Sequence, residues 1–140
     1  MHSQRKTAEN QITELMGFVP DFYKALPDAT FNEAWQLQRS LELGETVLGA
    51  KTKELVGIAV ASQIKCKYCI YFHTKAAETF GASKEEIREA ALMGGMTNMM
   101  SNAISAGQVD IDDFKKDVDR AIAHIVSQLG SEQSSGQPLQ

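Results

Sequence analysis

From Cys69 onward, Phe72, His73, Ala76, Ala77 and Phe80 recur at intervals of three and four residues until Gly81 ends the run. That is the period of an α-helix with one face turned inward, and glycine is a usual residue just past a helix end. Comparable spacing recurs along the chain, while the strict alternation of a half-buried strand is nearly absent. The one ambiguous run, Leu55 to Ser62, is partly β-branched, but its flanks AKTKE and QIKC suit a helix and no partner strands exist elsewhere. The expectation is an all-α, single-domain helical bundle of six or seven helices.

Punctuation divides the chain accordingly. Ile12, Leu15, Met16 and Val19 form a first stripe that should stop before Pro20. A short helical turn is expected around Phe22 to Leu26. Asp28 or Thr30 can cap a helix carrying Phe31, Ala34, Trp35 and Leu41 inward. Gly44 and Gly49 bracket a connection to a helix from about Lys51 to Ile64. After Gly81, Ser83-Lys84-Glu85-Glu86 reads as a capping box opening a helix that turns Ile87, Ala90 and Ala91 inward. Gly94-Gly95 should break or bend the chain before a stripe of Met96, Met99, Met100, Ala103 and Ile104. Those methionines suit a core or a subunit interface. Asp110 or Asp112 should start a last helix with Phe114, Val118, Ala121, Ile122, Ile125 and Leu129 inside, a partly buried His124, and Gly130 beyond its end. The domain is expected over residues 1–130. The polar segment 131–140, SEQSSGQPLQ, reads as a disordered tail.

A chain of 140 residues can bury about two-thirds of its unfolded surface without a staple. Its two cysteines are therefore free for chemistry. A net charge of −4 with Lys and Arg scattered among acids excludes a concentrated basic nucleic-acid surface. No apolar run is long enough for a membrane span, and MHSQRKTAENQ lacks a signal-peptide core. A cytoplasmic, reducing location is the default expectation, and there a Cys-x-x-Cys pair points to catalysis or metal binding.

Both cysteines and one of the three histidines lie in CKYCIYFH, residues 66–73. Residues four apart share a helix face, so His73 should reach Cys69 and favour its thiolate. Cys66 falls at the helix start, where free N–H groups also favour negative sulfur. If the chain doubles back near Ile64-Lys65, Glu54 lies within about one turn of His73 and can orient it. In one continuous helix Glu54 and Cys66 would stand about 18 Å apart. The relay Glu54–His73–Cys69, with Cys66 as second sulfur, thus requires a helical hairpin with the Cys-x-x-Cys at the start of its second, central helix. Zinc held by two Cys, one His and one Glu competes with this reading, but structural zinc sites usually recruit a second Cys pair, which this chain lacks. Tyr68, Tyr71 and Phe72 suit aromatic packing better than a substrate entrance.

Glu54, Cys66, Cys69 and His73, in ELVGIAVASQIKCKYCIYFH, resemble the alkylhydroperoxidase D core within the carboxymuconolactone decarboxylase-like family. The likeness covers roughly residues 50–107, including EEIREAALMGG. It implies an all-helical fold, a homotrimer or homohexamer, and thiol-dependent reduction of hydroperoxides with Cys69, Cys66, His73 and Glu54 as the catalytic set. It implies no cofactor and no resident metal. The partners implied are a hydroperoxide or other small molecule and an external dithiol or thiol-protein reductant, with neither nucleic acid nor membrane. In the best-known members a histidine directly precedes the second cysteine; here that position is Tyr68. Two alternatives follow: a dithiol-disulfide reductase or carrier with weak peroxidase activity, and a lactone decarboxylase-type enzyme without thiol chemistry. The family's decarboxylases lack the cysteine pair, which counts against the latter.

Overall fold

A computed structural model describes residues 2–135, with side chains from 4 to 130. Its elements are α1 (His2–Met16), a 3-10 turn (Asp21–Ala25), α2 (Phe31–Leu37), a π-helical turn (Gln38–Glu42), α3 (Ala50–Gln63), α4 (Lys67–Thr79), α5 (Lys84–Ala106) and α6 (Ile111–Ser135). There is no strand among the described residues, so the all-α expectation holds. No described helix is long and apolar enough to cross a membrane. The chain divides into two compact units, residues 1–95 and 96–140, with the boundary inside α5.

In the first unit, α1 packs on α2. Ala8, Ile12, Tyr23, Phe31 and Trp35 are buried together, with Met16, Val19 and Leu26 against them. Full burial of side chains such as Ile12 and Phe31 contributes about 1.5–3 kcal/mol each. The one indole N–H, on Trp35, donates to Gln11 Oε1 at 2.8 Å, so the ring is buried without an orphaned donor. Arg5 ties α1 to the segment before α2, pairing with Glu9 and Asp28 and lying over the Phe31 ring. Asp28 is thereby engaged. Thr30 takes the cap position of α2 without a side-chain bond to the helix. α1 stops three residues short of Val19, because Gly17 turns into the left-handed region at φ +83. Leu41 was expected inside but is exposed, because the π-helical turn carries it off the inward face of α2.

α3 and α4 form the most intimate pair, an antiparallel hairpin. Lys65 makes the reversal at φ +57, and the Cys66 N–H reaches back to the Ala61 carbonyl at 3.1 Å, closing the end of α3. Gly81, at φ +80, ends α4 as expected. The capping box opens α5: the Glu86 N–H donates to Ser83 Oγ, and the Ser83 N–H to Glu86 Oε2. Lys51 on α3 also pairs with Glu86 at 2.7 Å, and these bonds hold that carboxyl below its usual range. Gly94-Gly95 does not break the chain; α5 runs through it. A Cβ at Gly94 would lie 2.5 Å from the Ala59 carbonyl oxygen. The glycine serves a close approach of α5 to α3 rather than a bend.

In the second unit, Asp110 caps α6, accepting from the N–H groups of Asp112 and Asp113. α6 passes through Gly130 to Ser135, overrunning the expected stop, since one glycine in a helix costs only about 1 kcal/mol. Of the expected tail, 136–140 lie outside the described residues. Phe114, Val118, Ile122, Ile125 and Leu129, expected inside, are all exposed on the single chain, as are His124, Met96, Met99 and Met100. The helical period itself runs the length of α6.

Candidate active site

Glu54 sits in the middle of the hairpin, 1% exposed, and its Oε2 lies 2.8 Å from His73 Nδ1. Facing a carboxylate, which only accepts, Nδ1 is the nitrogen that donates, and Nε2 lies on the other side of the ring. The two residues are 19 apart in sequence and meet because the hairpin is antiparallel. Local packing depends on small residues. Ala61 and Ala77 are buried, and Gly57, one turn beyond Glu54, leaves room for the imidazole. A Cβ at Gly57 would stand 2.5 Å from His73 Nδ1.

Cys66 is the cap residue of α4, and its Sγ accepts from the Cys69 N–H at 3.2 Å. The two sulfurs are joined as a disulfide, with Cα atoms 5.3 Å apart. Cys69 lines a cavity of about 630 Å³ whose wall also includes His73, Glu42, Leu41, Val47 and the outer face of α3. A second cavity, of about 920 Å³, also reaches Cys69, His73 and Glu42 and is bordered by Phe22, Tyr68, Tyr71 and Phe72. Cys66 lines neither. Tyr68 and Tyr71 are well exposed and edge the second cavity rather than packing into a core. The Lys67 ammonium lies 5.1 Å from the Tyr68 ring centre.

Glu42 escaped the sequence reading. The π-helical turn ends on it and brings its Oε1 to 3.9 Å from His73 Nδ1. Its charge, after burial, helps push the Tyr23 phenol up to about 12. Nothing in the composition of QRSLE marks a π turn, although such turns are frequent at functional sites. Among the described residues, Glu42, Glu54 and His73 offer ligand atoms within 4.8 Å of one another. The expected zinc competitor is a different set, and the disulfide takes both of its sulfurs.

Fold and site together define an all-helical dithiol protein with a buried carboxylate–imidazole pair beside its sulfurs. The carboxymuconolactone decarboxylase family profile matches residues 20–109, and the chain belongs to that family. The chain is 34% identical over 62 residues to "Uncharacterized protein 4 in cox locus" of Paracoccus denitrificans, covering 44% of this chain and 56% of that protein. It thus spans just over half the length of that relative. Its fold matches the crystal structure of the alkylhydroperoxidase AhpD core from Rhodospirillum rubrum with a TM-score of 0.68 at 24% identity, covering 79% of this chain and 85% of that one.

Proposed function

We propose that this chain is a thiol-dependent oxidoreductase that reduces hydroperoxides through the Cys66–Cys69 couple. His73 Nε2 takes the Cys69 proton while Glu54 holds the imidazole from the other side. The thiolate attacks the outer peroxide oxygen: an S–O bond forms, the O–O bond breaks, and the leaving alkoxide takes the proton from His73. Cys66 then displaces hydroxide from the Cys69 sulfenic acid, and its own proton completes a water molecule. An external dithiol returns the disulfide to two thiols. The observation that carries this reading is the buried Glu54–His73 bond beside a cysteine that opens on both cavities. Cys69 as first attacker is supported by the same cavities, neither of which Cys66 lines.

The test combines redox state with turnover. Alkylation followed by mass spectrometry should block two thiols in reduced protein and none after one equivalent of hydroperoxide. Peroxide should then be consumed continuously when a dithiol is supplied. Equal labelling before and after peroxide would sink the proposal. A second reading, a disulfide carrier for another protein, is favoured by Tyr68, which is 76% exposed where the best-known relatives place a histidine. Thiol cycling with a protein disulfide but no peroxide consumption would select it.

We also propose a homotrimer or homohexamer. The exposed apolar faces of α5 and α6 support it, because such stripes are normally covered in an assembly. Sedimentation should give a multiple of the 15.4 kDa chain mass across dilution; a monomer at all concentrations would contradict it.

A further inference from the structure

Three different elements bring two carboxylates to one imidazole. Glu54 of α3 places its Oε2 2.8 Å from His73 Nδ1, and Glu42 of the π-helical turn places its Oε1 at 3.9 Å. The ligand atoms of the three residues all lie within 4.8 Å of one another. Among the described residues no lysine or arginine pairs with either carboxylate. The lysines lining the adjoining cavities are engaged elsewhere. Lys53 donates to the Gly44 carbonyl, Lys67 lies over the Tyr68 ring, and Lys75 pairs with Glu78. The Tyr23 phenol, which feels the Glu42 charge, hydrogen-bonds to Gln38 instead. One imidazole cannot neutralise two carboxylates. Glu54 is 1% exposed, and there an uncompensated charge is costly. The charge balance of this cluster favours a cation.

We propose that Glu42, Glu54 and His73 form a site for a divalent transition-metal ion, zinc by the chemistry of the donors, and that filling it switches the dithiol off. Donors on one ion with bonds of about 2.1 Å stand about 3–4 Å apart, so only small side-chain shifts are needed here. An imidazole nitrogen beside two carboxylates favours zinc over magnesium, which prefers oxygen ligands and keeps its waters. Three protein ligands leave the fourth position of a tetrahedron open. Glu42 and His73 both line the two cavities, which gives ion and water an entry path. The set contains no sulfur, so it is complete in the disulfide form. Zinc takes the place of the hydrogen on Nδ1. A neutral ring then carries that hydrogen on Nε2, with no proton lost overall, and Nε2 can no longer accept from Cys69. The binding stands on geometry alone; the switch rests on the peroxidase reading.

Zinc is counted first on the oxidised chain, whose disulfide removes both thiols as ligands. Equilibrium dialysis of chelator-stripped, oxidised protein against zinc should give one ion per chain. Glu42→Gln keeps the side-chain volume at a residue 25% exposed, so the fold should stand. It should weaken zinc by about a hundredfold, the most that losing even an indirect partner of a metal ligand usually costs. No zinc on the oxidised protein overturns the site. Equal binding by Glu42→Gln, which means an adventitious ion only, overturns it too. The switch is read in a single turnover, because excess dithiol would strip the metal. Reduced, desalted protein meets tert-butyl hydroperoxide with and without one equivalent of zinc. Zinc should slow disulfide formation by about 10²–10⁴-fold, the contribution of a positioned general base. In Glu42→Gln the same zinc should slow it far less. Equal slowing in both proteins would place the ion on the sulfurs and overturn the inference. Metal-free protein inert to the peroxide removes the peroxidase reading, and the zinc count on the oxidised chain still decides the site.

Discussion

Gly57→Ala should abolish most thiol reactivity without touching a sulfur, a histidine or a carboxylate. Its new methyl would lie 2.5 Å from His73 Nδ1 and equally against the ring carbons, well inside any tolerated contact. The imidazole must swing away, and the Glu54 bond breaks with it. A positioned general base contributes about 10²–10⁴-fold, so the loss in thiol alkylation and peroxide reduction at neutral pH should approach that of His73→Ala. Helix propensity works the other way, since alanine in place of a mid-helix glycine favours α3 by about 1 kcal/mol. Circular dichroism should therefore show helix retained while activity falls. A Gly57→Ala protein that reacts like the parent would mean that His73 does not act from this position.

The second large effect is on stability. Glu54 is buried to 1% exposure, and among the described residues its carboxylate pairs with the His73 ring nitrogen and with no lysine or arginine. His73→Phe keeps a flat ring beside Gly57 but strands the carboxylate. Leaving a buried carboxylate without its partner costs about 3–5 kcal/mol. Replacing both members with apolar groups of similar volume, as in Glu54→Met with His73→Phe, should recover most of that loss, because no desolvated charge remains. Urea midpoints for the single and double variants check this. If the double variant is no more stable than His73→Phe, then packing of the ring, not the buried charge, dominates at this site. The pair would thus be held for function at a cost in stability that an apolar pair would avoid.

These two experiments separate what was legible from what was not. Glu54, Cys66, Cys69 and His73 could all be named beforehand, because helical period places Cys69 and His73 on one face and a hairpin brings Glu54 to them. Gly57 could not, since a glycine in a helix reads as a weak point until the neighbour's distance is known. Gly94-Gly95 misled for the same reason: the pattern predicts a break, and the close approach to Ala59 uses the missing side chain instead. Glu42 was invisible because its approach to His73 depends on a π turn, whose extra residue shifts the face that a regular helix would present.

The sequence by itself determined the helical class, the cap at Ser83, a start of α6 at Asp110 or Asp112, the stop at Gly81, and the hairpin that the reactive spacing demanded. These are local properties, set by periods of three and four residues and by hydrogen bonds closed within a turn. Tertiary structure alone decided which sulfur faces the cavities and that a second carboxylate stands beside the histidine. Each of those depends on distances between segments far apart in sequence, and side-chain period carries no information about what lies across the gap.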